Sequence, residues 1–195
     1  MRRLPARWSR IRSSSCRLVD RVFARISTGS LLDIPCGKGR FSIHLARKGY
    51  AVSAADYSEP MLELAREAVC AAKLSFPVFK ADVENLGLAD QQFESILCFR
   101  LFHHFPEAAI RRRVVAEICR IAEKHVAISY FSPYSFSSLK RELGKRFLGR
   151  KIKKHSNALS EMDGYFNAQG FARVQDFPLL NFIHTLHIAL YRRIE

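Results

Sequence analysis

Asp33, Gly37 and Gly39 stand close together in the stretch Leu31-Leu32-Asp33-Ile34-Pro35-Cys36-Gly37-Lys38-Gly39-Arg40. An acid ending a short apolar run, followed by a glycine-containing turn, is a grouping that can hold a polar ligand. The glycines let backbone N–H groups approach closely, and a helix starting behind them adds unpaired donors and the positive end of its dipole. Phe41-Ser42-Ile43-His44-Leu45-Ala46-Arg47 has helical spacing, so the stretch predicts strand, tight turn and helix, the outline of a nucleotide site. Asp56 and Asp82 close the next two strand-like runs, residues 51–55 and 76–81. Arg100, His103 and His104 follow a fourth such run at 93–99. An imidazole can take a proton from a hydroxyl or amine, and a guanidinium can grip an anion.

The elements that position these residues alternate. Ser58 is a plausible N-cap, with Pro60 in the first turn of a helix running to about residue 72. A helix over about 107–122 precedes a fifth strand at 125–130, and a last helix over about 158–168 ends near Gly170. Alternation of strand and helix implies a parallel sheet with right-handed crossovers, whose ligands lie beyond the carboxyl ends of the strands. Asp33, Asp56, Asp82 and Arg100 fall at those ends. With no helix between them, the closing strands at 171–177 and 184–192 should pair antiparallel. One of His103 and His104 can instead pack while the other caps the following helix; His104 is the better functional candidate. Glu161 and Asp163 flank the site only if the last helix folds over it. His184 and His187 have no carboxylate or thiol near them in the sequence, so no metal site is expected.

The chain has 195 residues, 48% of them hydrophobic, enough for one domain with a core. No window approaches the roughly 18–20 uninterrupted apolar residues of a membrane span. The five cysteines, at 16, 36, 70, 98 and 119, form no C-x-x-C pair, which suggests a reducing compartment and no disulfide framework. The net charge of +14 is concentrated: residues 1–30 hold eight arginines against Asp20, residues 132–155 hold eight Lys/Arg against Glu142, and the rest of the chain is neutral. Residues 1–30 place Leu4, Trp8, Ile11, Leu18, Val22 and Ile26 at helical intervals beside the arginines. They read as a basic amphipathic helix, or two broken at Ser13-Ser14-Ser15. Such a segment can be a lid on the core, an anchor at an anionic surface, or a targeting segment. Residues 132–155, with Phe136, Leu139, Leu143, Phe147 and Leu148 among the cations, read as a basic insertion over the mouth of the site.

The dinucleotide fingerprint G-x-G-x-x-G is broken by Ser42 in place of the third glycine, and a P-loop is absent. LLDIPCGKGRF, AVSAADYSEPML, ADVENLGLADQQFESILCFRLFHHF and GYFNAQGFARV, in that order, resemble the motifs of class I S-adenosylmethionine-dependent methyltransferases of the small-molecule type. The resemblance covers about residues 30–131 and 157–193. It implies that Asp33 orients the turn and the methionine end of S-adenosyl-L-methionine, with Pro35, Cys36, Gly37, Gly39 and Arg40 beside it. It implies that Asp56 accepts from the ribose hydroxyls, that Tyr57 and Met61 pack on the adenine, and that Asp82 accepts from its amine beside Val83. Phe99 and Arg100 lie where the family lines the methionine and acceptor side. One departure is Pro35, which stands where the family's first glycine usually is and should stiffen the turn.

The expectation is an α/β, Rossmann-like, doubly wound seven-stranded sheet, mostly parallel with an antiparallel C-terminal pair. It comprises a basic helical segment at 1–30 and a methyltransferase domain at 31–195. The expected activity is O-methylation of an anionic or amphiphilic small-molecule or lipid-linked acceptor in the cytoplasm, with peripheral association at the inner membrane face. Two alternatives compete: an RNA methyltransferase gripping phosphates with both basic segments, and a cofactor-binding subunit that does no chemistry.

Overall fold

In the computed structural model, residues 6–132, 158–179 and 186–194 are described, with side chains from residue 14 onward. Helix α1 (Ala6–Phe23) leads into β1 (Ser30–Asp33), α2 (Arg40–Ala46), β2 (Ala51–Asp56), α3 (Glu59–Ala71), β3 (Val78–Lys80) and β4 (Phe93–Cys98). A 3-10 turn (Phe102–His104), α4 (Ala108–Ile121), β5 (Ala122–Phe131), α5 (Leu159–Asn167), β6 (Phe171–Pro178) and β7 (Leu186–Arg193) follow. The seven strands form one sheet in the order β3-β2-β1-β4-β5-β7-β6. The first five are parallel, and β7 runs antiparallel to both β5 and β6. The strand order reverses between β1 and β4, which opens a crevice at their carboxyl ends. This is the Rossmann-like sheet with an antiparallel terminal pair that the alternation implies.

Strand residues alternate between two cores. Leu31, Leu97, Ala127 and Ile188 face α1 and α2, meeting Leu18, Val22, Phe41 and Leu45. Leu32, Ile96, Val126 and Tyr191 face α4 and α5, meeting Val115, Ile118, Met162 and Phe166. Both faces are buried, as a parallel sheet requires. The α4 end runs into β5 without a loop, three residues ahead of the expected strand start. Arg193 accounts for this, donating to the carbonyls of Cys119 and Ala122 at 2.7 and 2.6 Å and so satisfying the helix terminus.

Helix α1 is one helix, unbroken at Ser13-Ser14-Ser15. Each serine costs only a few tenths of a kcal/mol of helix propensity, and burial of Leu18, Val19, Val22 and Phe23 outweighs that. Its Asp20 bonds His44 of α2 at 2.7 Å and Lys48 at 2.8 Å, tying the helix to the element behind the glycine turn. Ser58 occupies the N-cap of α3, but its hydroxyl makes no capping bond. The basic insertion expected at 132–155 lies outside the described residues except for Ser132, as does His184. Among the described residues, no helix is long and apolar enough to cross a membrane.

Candidate active site

Two cavities open at the carboxyl end of the sheet, sharing Pro35 and Asp56 as a common wall. The wider, about 530 Å³, is lined on the β1 side by Cys36, Gly37, Lys38, Arg40 and Phe41. On the β4 side it is lined by Phe99, Arg100, His103 and His104. The narrower, about 310 Å³, is lined by Tyr57, Asp82, Val83 and Glu84, with Ile34, Ala81, Leu101 and Phe105 forming its apolar part.

Asp56 ends β2 and is 8% exposed. Its Oδ2 accepts the N–H of Gly37 at 2.8 Å and its Oδ1 the N–H of Ser58 at 3.0 Å. A carboxylate has about four lone-pair sites, so it keeps capacity for further donors. Gly37 has φ 54°, a left-handed conformation that glycine adopts freely, and a Cβ there would meet nothing within 4 Å. The cavity side of that loop is therefore open space. Asp82 turns the chain after β3, accepting the N–H of Glu84 at 3.0 Å.

Asp33 lies beneath the loop and lines neither cavity. It is fully buried, its Oδ2 accepts the Ser42 hydroxyl at 2.6 Å, and its Oδ1 has no partner. Burial pushes its carboxyl up to about 7, against the pull of the hydroxyl and amide of Ser42. Burial also pushes the Cys36 thiol up to about 12, with Asp33 and Asp56 adding to the effect, so this cysteine is no thiolate nucleophile.

Three residues expected at the cofactor, Asp33, Gly39 and Met61, line neither cavity. Asp33 lies under the turn that it is expected to orient. Gly39 lines neither cavity: it has φ 70° as N-cap of α2, and a Cβ there would stand 3.4 Å from Cβ of Ala65. Its smallness serves the packing of α2 on α3. Met61, in the first turn of α3, is half-buried and lines neither cavity.

On the other side, Phe41 and Phe99 pack with ring centroids 4.4 Å apart, and the Arg40 guanidinium lies 4.1 Å over the Phe41 ring. His103 is buried, edge-on to Phe131 at 4.8 Å, and its ring lies 4.0 Å from that of His104, which is exposed. Neither histidine caps α4, whose N-cap is Glu107.

Glu161 and Asp163 do not flank the cavities. Glu161 pairs with Arg111 at 2.7 Å and Asp163 with Arg173 at 2.9 Å. His187 does have a carboxylate beside it, Asp176 of the neighbouring strand, at 2.7 Å. The contact follows from the β6–β7 register, which sequence spacing does not reveal. Lys38 and Phe41 of the wider cavity, and Leu101 and Phe105 of the narrower, are not singled out by sequence reasoning. Their signal is only adjacency to the motif residues.

Residues 31–125 match the family described as a methyltransferase domain. Those residues are thus a methyltransferase domain. The chain is 28% identical over 147 residues to the chloroplastic magnesium protoporphyrin IX methyltransferase of Arabidopsis thaliana, covering 74% of this chain and 45% of that protein. It is 32% identical over 77 residues to a ubiquinone biosynthesis O-methyltransferase of Coxiella burnetii, covering 40% of this chain and 33% of that protein. The matches thus span less than half the length of either relative. Among solved structures, the magnesium protoporphyrin IX methyltransferase of Synechocystis with bound SAH superposes with a TM-score of 0.80 at 19% identity. That alignment covers 99% of this chain and 90% of the other.

Proposed function

We propose that the chain binds S-adenosyl-L-methionine across the two cavities and transfers its methyl group to an oxygen of an anionic or amphiphilic acceptor, a small molecule or a lipid-linked one. The observation that carries this reading is the Asp56 carboxylate. It forms the wall shared by an acid-containing narrow cavity and a cation-lined wide one, and is aimed by the amides of Gly37 and Ser58.

The residues present fit the cofactor. The narrower cavity offers Tyr57 as an exposed ring, Asp82 as an acceptor and an apolar floor for an adenine. The unpartnered Oδ1 of Asp33, fully buried under the glycine turn, favours a cation above it. When bound, the cofactor supplies a methyl group on a sulfonium, so that in-line attack by oxygen forms the O–C bond as the C–S pair returns to sulfur. The chain's own part is to hold the acceptor in line and keep water out. Phe41 and Phe99 wall the wider cavity, and His104, exposed at its rim, can take the proton of a hydroxyl acceptor. The kinship with a ubiquinone biosynthesis O-methyltransferase supports oxygen as the atom methylated.

The test is transfer of labelled methyl from the cofactor into a lysate fractionated into lipid, RNA and small-molecule pools. Label in the lipid or anionic small-molecule pool is the result expected. Label in RNA alone, or none, would overturn the assignment.

A further inference from the structure

Arg100 lies two residues beyond the end of β4, with φ 63°, a left-handed backbone that disfavours any residue carrying a Cβ. That conformation is imposed from outside: the Arg100 N–H donates to Oγ of Ser129 at 2.6 Å, and Ser129 is buried in β5, 1% exposed. The Arg100 side chain is exposed, makes no hydrogen bond or ion pair among the described residues, and lines the wider cavity. A strained arginine where glycine would fit freely points to a requirement for the guanidinium.

Its placement tells which part of the reaction it serves. Asp56 ends β2, whereas Arg100 lies just beyond β4 and is anchored on β5, so the two lie on opposite sides of the β1/β4 crevice. Lys38 and Arg40 line the same cavity, and Asp56 is the one acid among its described lining residues. Beside these cations, Phe41 and Phe99 present an apolar wall.

We infer that Arg100 selects the acceptor, by pairing with a carboxylate or phosphate carried on an apolar body, and that Ser129 is the positioning residue that sets its backbone. This rests on the cofactor reading of the same cavity. A guanidinium matches either oxyanion with two parallel N–H donors, which gives direction as well as charge.

The experiment is calorimetry on the full chain with decanoate and decyl phosphate as anionic probes and decanol as their neutral counterpart, with and without S-adenosylhomocysteine. Wild type should bind the better anion at least about 10-fold more tightly than decanol, a difference in the range of charge-assisted hydrogen bonds. Arg100→Gly and Arg100→Ala should both abolish that preference and leave decanol and S-adenosylhomocysteine affinities unchanged. Arg100→Gly should also raise the melting midpoint by about 2–4 °C, because it relieves the left-handed backbone, while Arg100→Ala should not. Ser129→Ala should lower the ratio of decanoate to decanol affinity; a purely structural role would weaken both together. Preference for the anion surviving in Arg100→Gly would overturn the inference. So would a loss of S-adenosylhomocysteine affinity in Arg100→Gly with 5′-methylthioadenosine affinity retained, since the guanidinium would then hold the cofactor's carboxylate. A chain that binds decanoate through Arg100 but no S-adenosylhomocysteine would keep the anion site and remove the cofactor reading instead.

Discussion

The amide of Gly37 donates to Oδ2 of Asp56 at 2.8 Å, which closes the loop after β1 onto the end of β2. The same carboxylate takes the amide of Ser58, so a single acid sets the glycine turn, the start of α3 and the wall between the two cavities. Its orientation is fixed before any ligand arrives, which lowers the cost of ordering the site on binding.

Gly37 is needed for its backbone and not for packing, because a Cβ there meets nothing within 4 Å while φ is 54°. Gly37→Ala should therefore cost about 1 kcal/mol of stability and weaken S-adenosylhomocysteine binding roughly 10-fold by turning the amide away from Asp56. Urea denaturation and calorimetry on one preparation check both values. Unchanged binding in a destabilised variant would detach the loop from the ligand.

Asp33 makes stability depend on pH. Its folded carboxyl is pushed up to about 7 from 3.8, with burial the first cause. The folded state therefore binds the proton more tightly, and stability present below about pH 4 is lost as pH rises through 7. Asp33→Asn mimics the neutral form. Its stability gain over wild type should grow by about 2 kcal/mol between pH 5 and pH 7 and stay level above that. Melting curves across that range check it, and a gain that is constant with pH contradicts it.

Much of this arrangement is legible in the sequence, and the reasons for the rest are specific. The strand ends at Asp33 and Asp56 are readable because each apolar run stops at its acid, and the antiparallel pair because no helix separates its strands. The Asp33–Ser42 bond can be read only by noticing that Ser42 falls on the apolar face of α2, between Phe41 and Leu45. In the run Arg111-Arg112-Arg113, composition suggests three solvated cations, yet Arg111 is 8% exposed because the helical period turns it inward. The His187–Asp176 contact depends on cross-strand register, which spacing within one segment does not encode.

Arg111 links α5 to the chain beside the narrower cavity. Its guanidinium donates to the carbonyls of Phe105 and Pro106 at 2.8 and 2.7 Å and to Glu161 at 2.7 Å. Arg111→Ala should destabilise by about 2–4 kcal/mol, since it leaves buried acceptors unpaired. A double-mutant cycle with Glu161→Gln should give a coupling of about 1–2 kcal/mol. Additive single effects would show that the pair acts only through packing.

The two adjacent histidines should separate into different roles. His104→Ala, at an exposed position, should leave the melting midpoint in place and lower kcat by about 10²-fold or more if it takes the acceptor's proton. His103→Ala, which removes a buried ring from Phe131, should lower stability by about 1–3 kcal/mol. Thermal melts and turnover of labelled cofactor distinguish them, and equal effects from both would contradict the division.

The most direct measurement of the central claim is calorimetric titration of the full chain with S-adenosylhomocysteine, for wild type and Asp56→Ala. Wild type should bind one equivalent, and Asp56→Ala should lose at least about 100-fold in affinity, as removal of a buried charge-assisted acceptor predicts. No binding by wild type, or equal binding by the two, would contradict the account.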